Sequence, residues 1–278
     1  MRSTLKSLGV MLLVAFAFAE PAQAGQVTIA TGYTGGGYHT IGKSIASTLT
    51  SGKPRVSASV METTGSVENI ELFNEGEAGI AIIQADAAAV YPISRQYRAL
   101  TSHTEYAMWV HNSKYGFSDL SNMEKEQDYA VAIVTGSGAA VTWNSFKKAD
   151  SGYAETKVVE FDSLYDAAFA VSEGLEGKTR IAGLIYVGRT FPMELQLDFP
   201  NLVMGEMTDG DFDAAEDANG EKLYTSCKVP ESAYSNLSSS NNWFKPSTVC
   251  LDAKVLIART DNKRADRTIQ KAVIRSLR

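Results

Sequence analysis

The sequence predicts an α/β protein of two lobes, each a mixed sheet flanked by helices. Three observations predict it. Strand and helix patterns alternate as β-α-β-α-β from Val27 to Asp86. The same alternation restarts at Tyr129 and runs to Val187. A late apolar, β-rich run, Val249 to Ala258, then offers the chain a path back to the first unit. Crossovers between parallel strands are right-handed, and ligands sit outside the carboxyl ends of those strands.

The N-terminus reads as an export signal. Arg2 and Lys6 precede an apolar core, Leu8 to Ala19, too short to span a bilayer as a helix, and Ala22-Gln23-Ala24 has the A-x-A form of a cleavage site. Residues 1–24 are therefore expected to be a signal peptide cut after Ala24, and the mature chain is expected in the periplasm. The whole chain carries a formal charge of −6, and loss of Arg2, Lys6 and Glu20 takes away a net +1, leaving about −7. An acidic balance of that size gives no electrostatic case for nucleic acid. With 44% hydrophobic and 21% charged residues, the composition is that of a globular protein with a packed core. Cys227 and Cys250 are the two cysteines and fit one disulfide in an oxidising compartment. No His or further Cys lies near them at metal spacing, so no metal is expected.

The first unit opens with Val27 to Ala30, a strand. Gly32, Gly35, Gly36 and Gly37 follow, and then Tyr38, Ile41, Ile45 and Leu49 mark one face of a helix. Strand, glycine loop and helix N-terminus together present unpartnered N–H groups to an anion. Gly37 to Ser44 also matches the P-loop pattern G-x-x-x-x-G-K-[ST], but Gly37 lies six residues past Thr31, and Lys43 and Ser44 fall on the second helical turn. Val56 to Val60 is the next strand. Thr64 and Ser66 are candidate caps of a helix carrying Val67, Ile70 and Phe73, and Gly79 to Ile83 is a buried strand ending in Gln84-Ala85-Asp86. Tyr106 to His111 is a further strand, and the polar passage Asn112 to Asp128 is read as the crossing between lobes. The expected lobes are residues 25–111 with 252–278, and residues 112–251.

The second unit repeats the first. Tyr129 to Val134 is a strand, and Thr135-Gly-Ser-Gly-Ala139 is a second glycine loop before a helix with Trp143 and Phe146 on its apolar face. Lys157 to Phe161 is a strand, a helix capped by Asp162 or Ser163 follows, and Ile181 to Val187 is a strand. Asp209, Asp211 and Asp213 resemble the start of a calcium loop, but Ala214 and Gly220 occupy the positions that need Gly and Glu, so a solvated acidic loop is the reading. The segment between the cysteines is rich in Ser and Asn. Thr260 or Asp261 is expected to cap a last helix with Ile269, Val273 and Leu277 on one face.

Two lobes, an export signal and a late return resemble a periplasmic binding protein, and the motifs narrow the likeness. ATGYTGGGYHTIGKSIA, TTGSVENIELFNEGEAGIAIIQAD and TGSGAA resemble the corresponding stretches of TAXI-type solute-binding proteins of tripartite ATP-independent periplasmic (TRAP) transporters. The resemblance covers roughly residues 27–188 and is thin from Phe191 to Val249. It implies a type II periplasmic binding protein fold that closes on a small carboxylate or amino acid. It also implies a membrane permease partner driven by an ion gradient, with no cofactor and no catalytic residue. The residues agree with that implication. Gly35, Gly36, Gly37 and Tyr38 supply N–H groups from one lobe, and Ser137, Gly138 and Ala139 from the other. Thr34, Thr64, Gly65, Ser66, Gln84 and Asp86 lie at the strand ends, and Tyr33, Tyr38, Trp143 or Tyr186 can wall the site, with Trp143 better placed for the core. Two other classes are weighed. A serine hydrolase would use Ser137, but G-x-S-x-G is absent and His39, His103 and His111 form no motif. A binding protein that presents its ligand to a membrane receptor differs from a transporter only in its partner.

Overall fold

The computed structural model describes residues 26–217, 219–240 and 245–278. The expected signal peptide, 1–24, lies outside the described residues. In chain order the first half contains β1 (Val27–Ala30), α1 (Gly37–Ser51), β2 (Ala58–Met61), α2 (Ser66–Glu75), β3 (Ile80–Gln84), α3 (Ala85–Val90) and β4 (Tyr97–Asn112). The second contains β5 (Tyr129–Val134), α4 (Gly138–Ala149), β6 (Lys157–Phe161), α5 (Leu164–Glu173), β7 (Leu175–Glu176) and β8 (Thr179–Gly188). Then come α6 (Met193–Asp198), β9 (Leu202–Met204), β10 (Thr225–Lys228), β11 (Ser238–Ser239), β12 (Ser247–Ala258) and α7 (Lys263–Ser276).

The strands join in the order β2-β1-β3-β12-β4-β8-β5-β6. β2, β1 and β3 are parallel, as are β6, β5 and β8, so the two β-α-β-α-β units build the same three-strand arrangement at either end. Two long antiparallel strands connect them. β12 pairs with β3 through Ala253–Ile257 and with β4 through Cys250–Ala258, while the far half of β4, Tyr106–His111, pairs with β8. The chain thus passes from one half to the other within β4, ahead of the polar passage at 112–128. Among the described residues the near half of β4, from Tyr97, has only β12 as a strand neighbour and alternates polar residues, which is why no strand is legible there before Tyr106.

Apolar side chains fill both faces of both ends. On one face of the first unit, Ile29, Ile45 and Leu49 pack with Val255 and Val273, which seats α1 and α7 together. On its other face Ile70 and Phe73 of α2 pack on Ala81 and Ile83. In the second unit Trp109, Trp143, Phe146, Phe212 and Tyr224 form one aromatic core. Trp143 is therefore a core residue, as its place on the apolar helix face suggests. The acidic loop around Asp209–Asp213 turns as a short 3-10 segment that drops Phe212 onto Phe146, ring centroids 3.9 Å apart. The last helix is capped by Asn262, which accepts from the Ala265 N–H at 3.1 Å, where Thr260 or Asp261 was the expectation.

Cys227 of β10 and Cys250 of β12 are bonded, with Cα atoms 5.9 Å apart. Their strands pair antiparallel, so the bridge ties the Ser/Asn-rich loop back onto the long return strand. Non-reducing peptide mapping should recover this pair. Its reduction should lower the unfolding free energy by roughly 3 kcal/mol, the chain-entropy value for a loop of this length. Two free thiols in protein recovered from an oxidising compartment would contradict the pairing.

Candidate functional site

All six parallel strands deliver their carboxyl ends to one cavity of roughly 410 Å³ between the two halves. Gly32 and Tyr33 follow β1, Glu62 and Thr63 follow β2, and Gln84 ends β3. From the other side come Val134 of β5, Asp162 after β6, and Ile185 to Gly188 of β8. Because each strand feeds a helix, the N-termini of α1, α2, α4 and α5 open onto the same space. Gly36 and Gly65 cap α1 and α2 without any side-chain bond, so first-turn N–H groups are left for another acceptor. Ser137 and Ser163 cap α4 and α5 by accepting from Ala140 and Asp166.

Glycines set how close the halves come. Gly65 has φ +134°, a conformation that side chains rarely adopt, and a Cβ there would stand 3.4 Å from the Ser137 backbone. A Cβ on Gly138 would overlap the Gln84 amide. The Val67 N–H donates to the Gly136 carbonyl at 3.3 Å, a backbone bond from one half to the other. Tyr33 and Tyr186 meet hydroxyl to hydroxyl at 3.1 Å across the same gap. Burial pushes the Tyr33 phenol up to about 12 and raises Tyr186 as well, so both stay neutral. The structure is thus that of a cleft with its two walls in contact.

Of the residues expected at the site, Tyr33, Gly36, Gly37, Tyr38, Thr64, Gly65, Ser66, Gln84, Ser137, Gly138, Ala139 and Tyr186 line the cavity. Three do not. Thr34 turns to Glu62, donating to its carboxylate through both N–H (2.9 Å) and Oγ1 (2.8 Å). Gly35 supplies the turn, at φ +90°. Gly36 beside it has φ −71°. Asp86 is wholly buried and works as a clasp. Its Oδ2 accepts from Thr142 of α4 at 2.6 Å and from Tyr224 at 2.8 Å, both in the other half. With the Gln84 amide oriented by its bonding network, its nitrogen donates to Asp86 at 3.2 Å and to the Gly138 carbonyl at 3.0 Å.

Lys43 and Ser44 are exposed on the second turn of α1 and do not line the cavity. Gly42 lies buried against Thr31, so glycine is needed there for helix-on-strand packing. The Ser137 hydroxyl donates to the Val134 carbonyl at 2.7 Å besides capping α4, the work of a structural serine.

The carboxylates of the cavity are absent from the expected set. Glu62 and Glu68 stand at its exposed rim. The Thr34 backbone and hydroxyl bonds hold Glu62 below its usual range, while Glu68 accepts from Thr64. Glu105 is different, being 2% exposed and lining the cavity from β4. It accepts from the Tyr38 hydroxyl at 2.7 Å, and His103 Nε2 stands 3.5 Å from its other oxygen. Burial first, then the Glu105 charge, raises Tyr38 well above the ordinary phenol range, so it acts as a neutral donor. Among the described lining residues there is no Lys or Arg. The available signal for Glu105 was an acid immediately before the apolar run Tyr106–His111, in a stretch with no visible strand.

The first-unit segment 29–92 matches the sequence model of the NMT1-like family. No curated protein sequence matches the chain. Solved structures match across nearly its whole length. The GluR0 ligand-binding core in complex with L-glutamate shares 12% identity at a TM-score of 0.54, covering 91% of this chain and 93% of that one. The QuiR effector-binding domain in complex with shikimate gives 12% and 0.53, with 90% and 96% covered. The OxyR2 regulatory domain of Vibrio vulnificus, in mutant form, gives 9% and 0.51, with 97% and 99% covered. The fold is the type II periplasmic-binding fold. At these identities the likeness is one of architecture.

Asp86 carries a pH signature. Burial pushes its carboxyl from 3.8 up to about 6, against the lowering bonds from Thr142, Tyr224 and Ala87. Between those values the folded protein holds more proton than the unfolded chain, so stability falls as pH rises from about 4 to about 6. The full span corresponds to about 3 kcal/mol at most. Asp86→Asn keeps an acceptor for Thr142 and Tyr224 but does not titrate. In urea titrations across this window the parent should lose stability relative to the variant as pH rises; parallel curves would refute the clasp's ionisation.

Proposed function

We propose that the chain is a periplasmic solute-binding protein that closes on a small amino acid or carboxylate and delivers it to an ion-gradient-driven TRAP membrane permease. The observation that carries the reading is the composition of the cavity. Helix N-termini from both halves point N–H groups into it, which suits a carboxylate, and buried Glu105 stands in the same space with His103 at its back and, among the described lining residues, no Lys or Arg. A ligand bearing both an anion and an ammonium group satisfies the two together, so the geometry favours an amino acid over a plain carboxylate. The cavity size suits a small molecule. The neighbours solved with L-glutamate and with shikimate support a ligand of this scale. The motifs of residues 27–188 support the TAXI assignment, and the N-terminal signal pattern supports export. The capping role of Ser137 and the exposure of Lys43 speak against hydrolase and nucleotide chemistry.

The direct test strips the purified protein by unfolding and refolding, then screens amino acids and carboxylates by thermal shift and calorimetry. An amino acid should stabilise it, and uptake into vesicles holding its TRAP permease partner should follow an ion gradient without ATP. Micromolar binding of Mg-ATP, lost in Lys43→Ala, would sink the proposal.

Two variants test the grip. Gly138→Val drives a branched side chain into Gln84, so the halves cannot reach their contact. Affinity for the identified ligand should fall at least about a hundredfold, since each loop can supply about two charge-assisted bonds of roughly 1.5–3 kcal/mol. Scattering should show loss of ligand-induced compaction. Binding at the parent's affinity would mean that the second loop does not grip. Glu105→Gln removes the charge while keeping shape. An amino-bearing ligand should weaken roughly tenfold to a hundredfold; unchanged affinity would return the ligand to the plain carboxylates.

A further inference from the structure

α7 departs from the rest of an acidic chain. Within residues 263–278 stand Lys263, Arg264, Arg267, Lys271, Arg275 and Arg278 against a single acid, Asp266, although the whole chain carries −6. Arg264, Arg267, Lys271 and Arg275 recur at i, i+3, i+7 and i+11, one face of the helix, and all four are exposed. Ala272 and Val273 on the other side are buried with Ile45 and Leu49 of α1. Beside this face, at the C-terminal end of α1, lies exposed Lys53. Those five cations line one groove of roughly 360 Å³, and no carboxylate lines it. Among the described residues none of the five enters an ion pair.

Helix stability accounts for Arg275, in the last turn of α7 where the dipole favours a cation, but not for the row as a whole. Arg264 sits in the first turn of α7, at the end where the dipole disfavours a cation. Arg267, Lys271 and Arg275 follow one another at i, i+4, a spacing at which like charges repel. A polyanion would relieve both costs. The groove also lacks what a protein partner uses. Leu49 and Ala272 are buried in the core, and no aromatic anchor is present. Among the described residues the four most exposed large apolar side chains, Tyr165, Phe169, Met193 and Leu197, belong to the second half, on α5 and α6, and none of the exposed ones lines the groove. Guanidinium forks in a row match phosphate oxygens.

We propose that this face docks the protein on an anionic phospholipid surface through headgroup phosphates. α7 does not insert, because its apolar side is already covered by α1 and the sheet. The contact is electrostatic, salt-sensitive and independent of the ligand in the cleft.

The test is co-sedimentation of the purified protein with vesicles of phosphatidylcholine alone or mixed with phosphatidylglycerol. Phosphatidylglycerol should raise the partition coefficient at least roughly tenfold at low ionic strength, and high salt should abolish the gain. The triple variant Arg264→Gln, Arg267→Gln, Lys271→Gln should lose it while its melting temperature holds or rises. A control that removes the same charge elsewhere, Lys114→Gln, Lys157→Gln, Lys178→Gln, should keep most of it. No preference for phosphatidylglycerol, or equal losses in the two triple variants, would overturn the proposal. Saturable binding of inorganic phosphate without vesicle binding would overturn it in favour of a free-anion site.

Discussion

Everything at the cleft depends on how closely two backbones approach at Gly65 and Gly136–Gly138. A side chain at Gly65 or Gly138 would hold the halves apart. With glycine there, the Val67 N–H reaches the Gly136 carbonyl, and the N-termini of α2 and α4 come to face the same small volume. Asp86 then finds Thr142 and Tyr224 within bonding distance, and Tyr33 finds Tyr186. These contacts are mostly polar, with buried Val141 of α4 adding an apolar contact to the first unit's core beside Ala87. The two halves also share the β4–β12 pairing, so their relative position is set by two strands, a handful of hydrogen bonds and the small apolar contact at Val141. That arrangement suits hinged motion more than a fixed apolar interface would.

Charge inside the cleft is divided. Helix N-termini without side-chain caps offer partial positive charge, while Glu105 offers carboxylate oxygens, one of them held by Tyr38. A site built this way discriminates by where a ligand carries each sign. Asp86 lies just behind the lining and interacts with Glu105, which adds to the upward push on its carboxyl. The acid that reads as a ligand contact in the sequence is instead part of what joins the walls.

Charge outside the cleft is divided too. The acidic residues of the chain are spread over helices, strands and loops, whereas α7 gathers cations on one exposed face. The helix is amphipathic in two senses: its apolar residues complete the first core, and its basic residues face outward with no acidic partner of their own among the ion pairs of the described residues.

The sequence by itself determined the repeated β-α-β-α-β units, both glycine loops, the return strand and half of the cavity lining, because these follow from local signals: hydrophobic period, glycine placement and the position of strand ends. Lys157–Phe161 was legible to the residue, as was the core position of Trp143. Tertiary structure alone decided three things. It extended β4 back to Tyr97, a polar stretch that is a strand only because β12 lies beside it. It turned Thr34 and Asp86 away from the cavity, since their partners Glu62, Thr142 and Tyr224 are 28, 56 and 138 residues distant along the chain. And it placed Glu105 in the site, through a pairing of β4 with β12 that joins residues some 146 apart, Glu105 with Leu251. Local pattern carries the direction of a strand or helix; which side chain then meets a buried charge depends on contacts that no window of neighbouring residues contains.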